Sequence, residues 1–199
     1  MKKTLISTAL AAVLGFAALA PTAASASDGT ITFKGEVTDV NCNIAGGGAA
    51  SGSGDITVKL RSVRTSEFAA SGDTAGDTPF SIVLSGDNCT DGKTAALWIE
   101  TSQTPALDTA TNALINQLSG GATQVEVRML NAATSEPILL GINDNVVNGQ
   151  SVIGANHQPA ATIAGNTATL NYVAQYLAVG GIPTPGLVNT YLTYVMQYN

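Results

Sequence analysis

The sequence has few of the side chains from which most catalytic and nucleic-acid-binding sites are built. Its 199 residues include one His, two Cys and eight Lys and Arg, and only 11% are charged. With a single His, a Ser-His-Asp catalytic triad could use only that residue, and a His-rich metal site is excluded. The 14 acidic residues give a net charge of −6, whereas polyanion binders need clustered Lys and Arg. Nucleic acid is therefore excluded as a partner.

Nucleotide-binding and hydrolase motifs are also missing. The sequence has no phosphate-binding loop ending in Gly-Lys-Ser/Thr, no G-x-G-x-x-G after a strand and no G-x-S-x-G. The acidic residues at 87–92 could in principle offer oxygen ligands to calcium, but a polar turn after a strand is the favoured interpretation. We therefore predict no enzyme activity, no cofactor and no metal site.

The first 26 residues have the pattern of a secretory signal peptide. Lys2 and Lys3 form a basic start, residues 5–20 are an apolar run, and residues 24–26 are an Ala-Ser-Ala cleavage site. The apolar run is shorter than the roughly 20 residues that a helix needs to span a bilayer. We therefore predict cleavage before Ser27 and export of the remaining chain.

Export into an oxidising compartment favours a disulfide between Cys42 and Cys89. They are the only two cysteines, and they do not form a C-x-x-C pair. Metal ligation is one alternative, but His157 is the only imidazole that could join the two thiols. A nucleophilic cysteine is another, but it would need a His partner, and His157 lies in a loop-like segment. We interpret the pair as a structural disulfide.

Short alternating runs of apolar and polar residues, broken by Gly, Asn, Asp and Ser, dominate the chain after residue 26. Alternation with period two predicts strands, and several such runs in one domain predict an all-β sandwich. Only residues 109–118 are a candidate for a helical turn. The Gly-rich residues 46–54 are predicted to be a flexible surface insertion, and Trp98 is assigned to the core. The predicted strands are 30–40, 55–63, 80–84, 96–100, 125–129, 138–140, 167–179 and 187–198.

Two strand-like segments near the ends stand out. In residues 27–35, one face is apolar or small and the other is polar. The first of these faces consists of Gly29, Ile31, Phe33 and Gly35. All five tyrosines lie between Tyr172 and Tyr198. In the last strand-like run, alternation places Tyr194, Met196 and Tyr198 on one face.

Four longer segments occur in an order that is typical of one protein family. They are TITFKGEVTDVNC (30–42), VRTSEFAASGDTAGDTPFSIVLSGDNC (63–89), VEVRMLNAATSEPILLG (125–141), and a tail from NYVAQYLAVGG (171–181) to the penultimate Tyr198. Together they span nearly the whole chain after residue 26. In these segments the chain resembles the major subunits of chaperone–usher fimbriae, the type 1 pilin family. It departs from the family in the Gly-rich segment 46–54 and in the short stretch before Gly29.

The resemblance implies a fold, a division of the chain and a set of partners. The fold would be an incomplete immunoglobulin-like β-sandwich, completed by a donor strand from a neighbouring subunit. The chain would divide into a signal peptide (1–26), a donor-strand extension (27–36) and a pilin domain (37–199). The partners would be other copies of the chain or related pilins, a periplasmic pilus chaperone and an outer-membrane usher. The product would be a cell-surface fimbria that supports adhesion, reached through the periplasm.

The same resemblance implies roles for the two end segments. Gly29, Ile31, Phe33 and Gly35 would form the donor strand, and Tyr194, Met196 and Tyr198 would line the acceptor groove and face the chaperone. A tip adhesin of the same system would need an extra lectin domain, for which we expect no room. A self-contained secreted β-sandwich that binds carbohydrate, or calcium through residues 87–92, is the alternative from another class.

Overall fold

A computed structural model of the chain describes residues 39–142, 145–147, 150–152 and 156–199. In these ranges the chain is all-β, as predicted, with two short 3₁₀ turns (Thr65–Glu67 and Thr101–Gln103) and no α-helix. None of the described segments is a helix long and apolar enough to cross a membrane. The strands are β1 (Asn43–Gly48), β2 (Ala50–Ser51), β3 (Thr57–Val58), β4 (Thr74–Ser85), β5 (Thr94–Ile99), β6 (Leu107–Asp108), β7 (Ala113–Ile115), β8 (Val125–Asn131), β9 (Asn145–Val147), β10 (Gln150–Val152), β11 (Ala161–Thr162), β12 (Thr167–Ala178) and β13 (Tyr194–Tyr198).

Two antiparallel sheets enclose the core. The larger has the strand order β1-β4-β12-β8-β7-β6, and the smaller has the order β11-β5-β13. Inward side chains of both sheets form one buried cluster, as expected for a sandwich. In its centre the rings of Phe80 and Tyr172 stack with centroids 5.2 Å apart. The other large members include Ile82, Leu84, Leu97, Ile99, Val127, Met129 and Leu170.

The predicted disulfide is confirmed. Cys42 and Cys89 are bonded, and both are buried. The bond ties the residue before β1 to the loop that follows β4, across 47 positions of sequence. It therefore holds the first described strand at the edge of the larger sheet.

The prediction that residues 46–54 form a flexible insertion is wrong. Gly46, Gly47 and Gly48 belong to β1 and pair with β4. The chain then folds back on β1, and the Gly46 N–H donates to the Gly52 carbonyl at 3.0 Å. A Cβ on Gly46 would lie 2.7 Å from the Ser51 nitrogen. The glycines therefore permit close approach of two backbone segments. Composition alone does not distinguish this role from flexibility.

Four other local predictions are wrong or only partly met. Residues 109–118 hold strand β7 instead of a helical turn. Trp98 is half-buried on the outer side of β5, because its neighbours Leu97 and Ile99 occupy the core side. Residues 138–140 form no strand, although Ile138 and Leu140 are fully buried. Within 55–63 only β3 is a strand.

Candidate functional site: an open groove between two strand edges

An apolar groove of about 730 Å³ opens on the surface between two segments of the chain. We call residues 56–65 the first wall and residues 183–194 the second wall. The floor between them is made by inward side chains of both sheets. The floor includes Phe80, Ile82, Leu97, Leu114, Val127 and Met129. The groove therefore gives access to the hydrophobic core of the sandwich.

The first wall is an extended segment with two different faces. Ile56, Val58 and Leu60 are half-buried and pack against the core, whereas the alternating Lys59 and Arg61 are exposed. This is the period-two pattern of a strand that covers a core with one face. The strand predicted over 55–63 is therefore only partly confirmed: burial alternates along this segment, but only Thr57 and Val58 are a strand.

Part of the backbone of the first wall points toward the groove and pairs with no described strand. The Lys59 N–H donates to the Ala49 carbonyl at 3.0 Å, and Val58 is paired with Ala50. In an antiparallel ladder, successive residues direct their backbone groups to opposite sides. The N–H and C=O of Val58 therefore point away from β2, on the groove side, where no other described strand pairs with them.

Strand β13 supplies a second unpaired edge. Thr94 and Asn199 exchange both backbone hydrogen bonds, at 2.8 and 3.0 Å. The same alternation then directs the backbone groups of Tyr194, Met196 and Tyr198 away from β5. Among the described residues no strand pairs with this side, because β13 is the last strand of the order β11-β5-β13.

The side chains of Tyr194, Met196 and Tyr198 share the core side of β13, as their alternation predicts. All three are half-buried and pack against the core, and Tyr194 also lines the groove. The Tyr194 hydroxyl donates to the Gly54 carbonyl at 2.6 Å. The Tyr198 hydroxyl faces the backbone N–H of Cys42. The two rings thus reach from the last strand to the N-terminal part of the domain.

Burial decides the titration of these tyrosines. It raises the pKa of Tyr194, to which the negative charge of Asp55 adds. Burial also raises the pKa of Tyr198, against the opposing effect of the Cys42 N–H. Burial also raises the pKa of the fully buried Tyr172, whose hydroxyl has no hydrogen-bond partner among the described residues. The hydroxyls therefore stay protonated at neutral pH, which suits a binding surface more than acid–base catalysis.

Several apolar side chains on and next to the second wall are exposed to solvent. Leu187 is 75% exposed, Tyr191 51% and Ile182 50%. A cluster of exposed apolar side chains is typical of an interaction surface. The alternating run 187–198 was the only sequence signal for this wall, and it did not separate wall residues from strand residues.

The residues predicted to form the donor strand, Gly29, Ile31, Phe33 and Gly35, lie outside the described residues. The same is true of the predicted signal peptide, residues 1–26. The structure therefore describes the groove and not the segment predicted to fill such a groove.

The loop considered for calcium is a capped turn. The Asp91 carboxylate accepts hydrogen bonds from the backbone N–H groups of Gly165, at 3.1 Å, and Asn166, at 2.7 Å. Across the described ranges, no three His, Cys, Asp or Glu side chains come together in a way that could hold a metal. The geometry of this loop therefore matches the polar-turn interpretation.

The family model and the curated relatives indicate one family. The family model described as "Fimbrial protein" matches residues 31–199. The chain is 37% identical to the major fimbrial subunit SMF-1 of Stenotrophomonas maltophilia (strain K279a), over 92% of this chain and 99% of that protein. It is 36% identical to the F17 fimbrial protein of Escherichia coli, over 94% and 96% of the two chains. Among solved structures, the P pilus rod subunit PapA matches with a TM-score of 0.48 and 18% identity, over 79% of this chain and 99% of that one.

Proposed function

Because this chain belongs to the fimbrial protein family, we propose that it joins its neighbours by accepting a β-strand from another copy into the open groove. The chain is a structural subunit of a surface fimbria, and its family is not enzymatic. The proposed donor is the extension at residues 27–36 of the neighbouring copy. Its Ile31 and Phe33 would insert into the groove, and Gly29 and Gly35 would permit close approach.

The observation that carries the proposal is the pair of facing unpaired edges above an exposed core. Val58 offers backbone groups on one side, and Tyr194, Met196 and Tyr198 offer them on the other. An added strand would satisfy both edges and cover the apolar floor in one step. Ten extended residues span roughly 33 Å, the length of a long strand.

The growth mode of the fimbria follows from the same contact. The groove and the extension are different surfaces of one chain, so the contact is heterologous and does not close on itself. Each added copy presents a new groove or a new extension, and the product is a filament. A domain that filled its own groove would instead remain a monomer.

The route to the surface is part of the proposal. Residues 1–26 would direct export and be removed, and the subunit would pass through the periplasm. An unfilled groove in that compartment is an aggregation hazard, because it combines an apolar floor with bare strand edges. A periplasmic chaperone would cover the groove, and an outer-membrane usher would exchange that cover for the extension of the next subunit.

A matched pair of substitutions in the extension tests this function. Phe33→Asp places a charge on the face that inserts, and Thr32→Asp places the same charge on the opposite face. We expect Phe33→Asp to abolish assembly and Thr32→Asp to retain it, because burying an unpaired carboxylate is costly. The measurement is the SDS-resistant ladder of surface material, run with and without boiling. Equal ladders from both variants would refute the assignment of the donor face.

A further inference from the structure

The few cations of this acidic chain are concentrated on one wall of the groove. Lys59, Arg61 and Arg64 are three of the eight Lys and Arg residues, and all three are exposed on the first wall. Lys59 and Arg61 form no ion pair with any other described residue. The second wall has no charged residue. Of the two walls of the groove, only the first wall therefore carries positive charge.

The groove has one blocked end and one open end. We call the end near Tyr198 the lower end. There the Tyr198 hydroxyl faces the Cys42 N–H, and the buried Val40 and Cys42 of the same chain precede β1. At the upper end, residues 62–65 and 183–187 line the groove, and none of the described strands crosses it. A neighbouring copy that inserts its extension therefore has room for its body at the upper end, beside Arg61 and Arg64.

Two acids that follow the first wall in sequence are engaged by backbone groups. The Glu67 carboxylate accepts a hydrogen bond from the Arg64 N–H at 2.8 Å. The Asp73 carboxylate accepts two, from Ala69 and Ala70, and these bonds lower the pKa of Asp73. The cations of the first wall are therefore available to an acidic group brought by the incoming copy.

The segment that links the extension to the domain is acidic. Glu36 ends the extension in sequence, and Asp39 is exposed where the described domain begins. The Asn41 N–H donates to the Asn88 carbonyl at 3.1 Å, which places the exposed Asp87 near the same point of exit. The incoming copy would thus bring Asp39 and Asp87 to the upper end of the groove, and Glu36 precedes them closely in sequence.

From this complementarity we infer that Lys59, Arg61 and Arg64 form a docking rim for the acidic exit of the next copy of this chain. The inference rests on the proposed strand insertion and adds to it a second contact between subunits. Opposite charges on the two surfaces raise the rate of encounter and disfavour insertion in the wrong direction. The contact is exposed, so salt screens it.

The rate of formation of a two-subunit complex tests the rim. The acceptor is the full chain without its signal peptide, carrying Phe33→Asp so that it cannot donate. The donor is the same chain with a native extension and its own groove filled with a peptide of residues 27–36. We expect Arg61→Glu in the acceptor to slow formation of the SDS-resistant complex by roughly three- to tenfold at low salt, the size of effect that rim charges have on association. At about 0.5 M salt the difference should largely disappear.

Changes on the donor side make the test specific. Asp39→Lys in the donor should slow complex formation with the acceptor that retains Arg61, and it should restore the rate with the Arg61→Glu acceptor. Glu136→Lys, at an exposed acid on the turn after β8, is the matched control and should change neither rate. Unchanged rates with Asp39→Lys and Arg61→Glu would overturn the docking rim.

A short peptide separates this failure from failure of the proposed function. A peptide of residues 27–35 lacks Glu36, Asp39 and Asp87. It should therefore bind the acceptor that retains Arg61 and the Arg61→Glu acceptor at similar rates. If this peptide binds the acceptor that retains Arg61 and the rates of complex formation are nonetheless insensitive to charge, only the docking-rim inference is wrong. If neither the peptide nor the donor subunit enters the groove, strand insertion itself is wrong.

Discussion

At the scale of single residues, the clearest unusual group is a buried carboxyl on β8. Glu126 is only 5% exposed, and the Thr111 hydroxyl donates to its Oε2 at 2.6 Å. Burial raises the pKa of Glu126, and the nearby Asp108 carboxyl adds to this effect. The folded protein therefore binds a proton at Glu126 more tightly than the unfolded chain does.

This shift predicts a sign for the pH dependence of stability. Where the folded state holds more protons than the unfolded state, the free energy of unfolding falls as pH rises. The contribution of Glu126 is therefore retained at low pH and lost as pH rises through its folded pKa. We expect Glu126→Gln to gain stability relative to the unsubstituted chain as pH rises from 4.5, the ordinary pKa of a glutamate.

Urea unfolding between pH 4 and pH 8 measures this difference. Glu136→Gln, which removes a carboxylate from an exposed turn, is the control for loss of charge. A stability difference for Glu126→Gln that stays constant over the whole range, or that falls as pH rises, would contradict the assignment.

At the scale of elements, the glycine run of β1 shows how composition can mislead. A run of glycines is conformationally free in the unfolded chain, which is why the sequence predicts flexibility. In the fold, Gly46 lies between β4 and the returning chain at Gly52, so a side chain there would meet backbone atoms. The first edge of the larger sheet depends on this contact.

Two alanine substitutions distinguish a steric requirement for glycine from the effect of glycine on the conformational freedom of the chain. A Cβ at Gly46 meets Ser51 backbone that cannot rotate away, whereas a Cβ at Gly47 meets the Ser81 hydroxyl at 2.5 Å, the end of a side chain. We expect Gly46→Ala to cost about 1–3 kcal/mol of stability, the usual range for overpacking. Gly47→Ala should cost less, because Ser81 can change rotamer. Equal urea midpoints for the two variants would show that the turn relaxes freely.

At the scale of the whole molecule, stability and assembly are linked through the groove. A strand that binds only the folded subunit raises its free energy of unfolding, by about 4.1 kcal/mol at 1,000 times the dissociation constant. Within the described part of the chain, the apolar floor and two strand edges are left uncovered by any other strand. We therefore expect the peptide of residues 27–36 to raise the thermal midpoint in proportion to the logarithm of its concentration.

A pair of wall substitutions makes this prediction specific to the groove. Val58→Asp places a carboxylate on the side of the wall that packs against the core, and Thr57→Asp places one on its exposed side. The peptide should stabilise Thr57→Asp as it does the unsubstituted chain, and it should stabilise Val58→Asp much less. Calorimetry with a scrambled peptide as blank is the measurement. Equal stabilisation of both variants would place the binding site elsewhere.

Much of the fold could be predicted because it depends on local pattern. Alternation marked the strands within 80–84, 125–129 and 167–179, since a half-buried strand needs period two wherever it lies. Export and the absence of other ligands favoured the Cys42–Cys89 bond, which the structure confirms. Trp98 was misplaced because alternation shows that two faces differ but not which face meets the other sheet.

The sequence by itself determined that this protein is an all-β fimbrial subunit with a disulfide, because composition, alternation and family segments are properties of the chain. Only the tertiary structure decided where the unpaired edges lie. Val58 and Tyr194 are far apart in sequence, and their open sides depend on how β3 and β13 pair with other strands. The position of the groove and of its basic rim is set by these non-local pairings, because an edge stays open only where no other strand covers it.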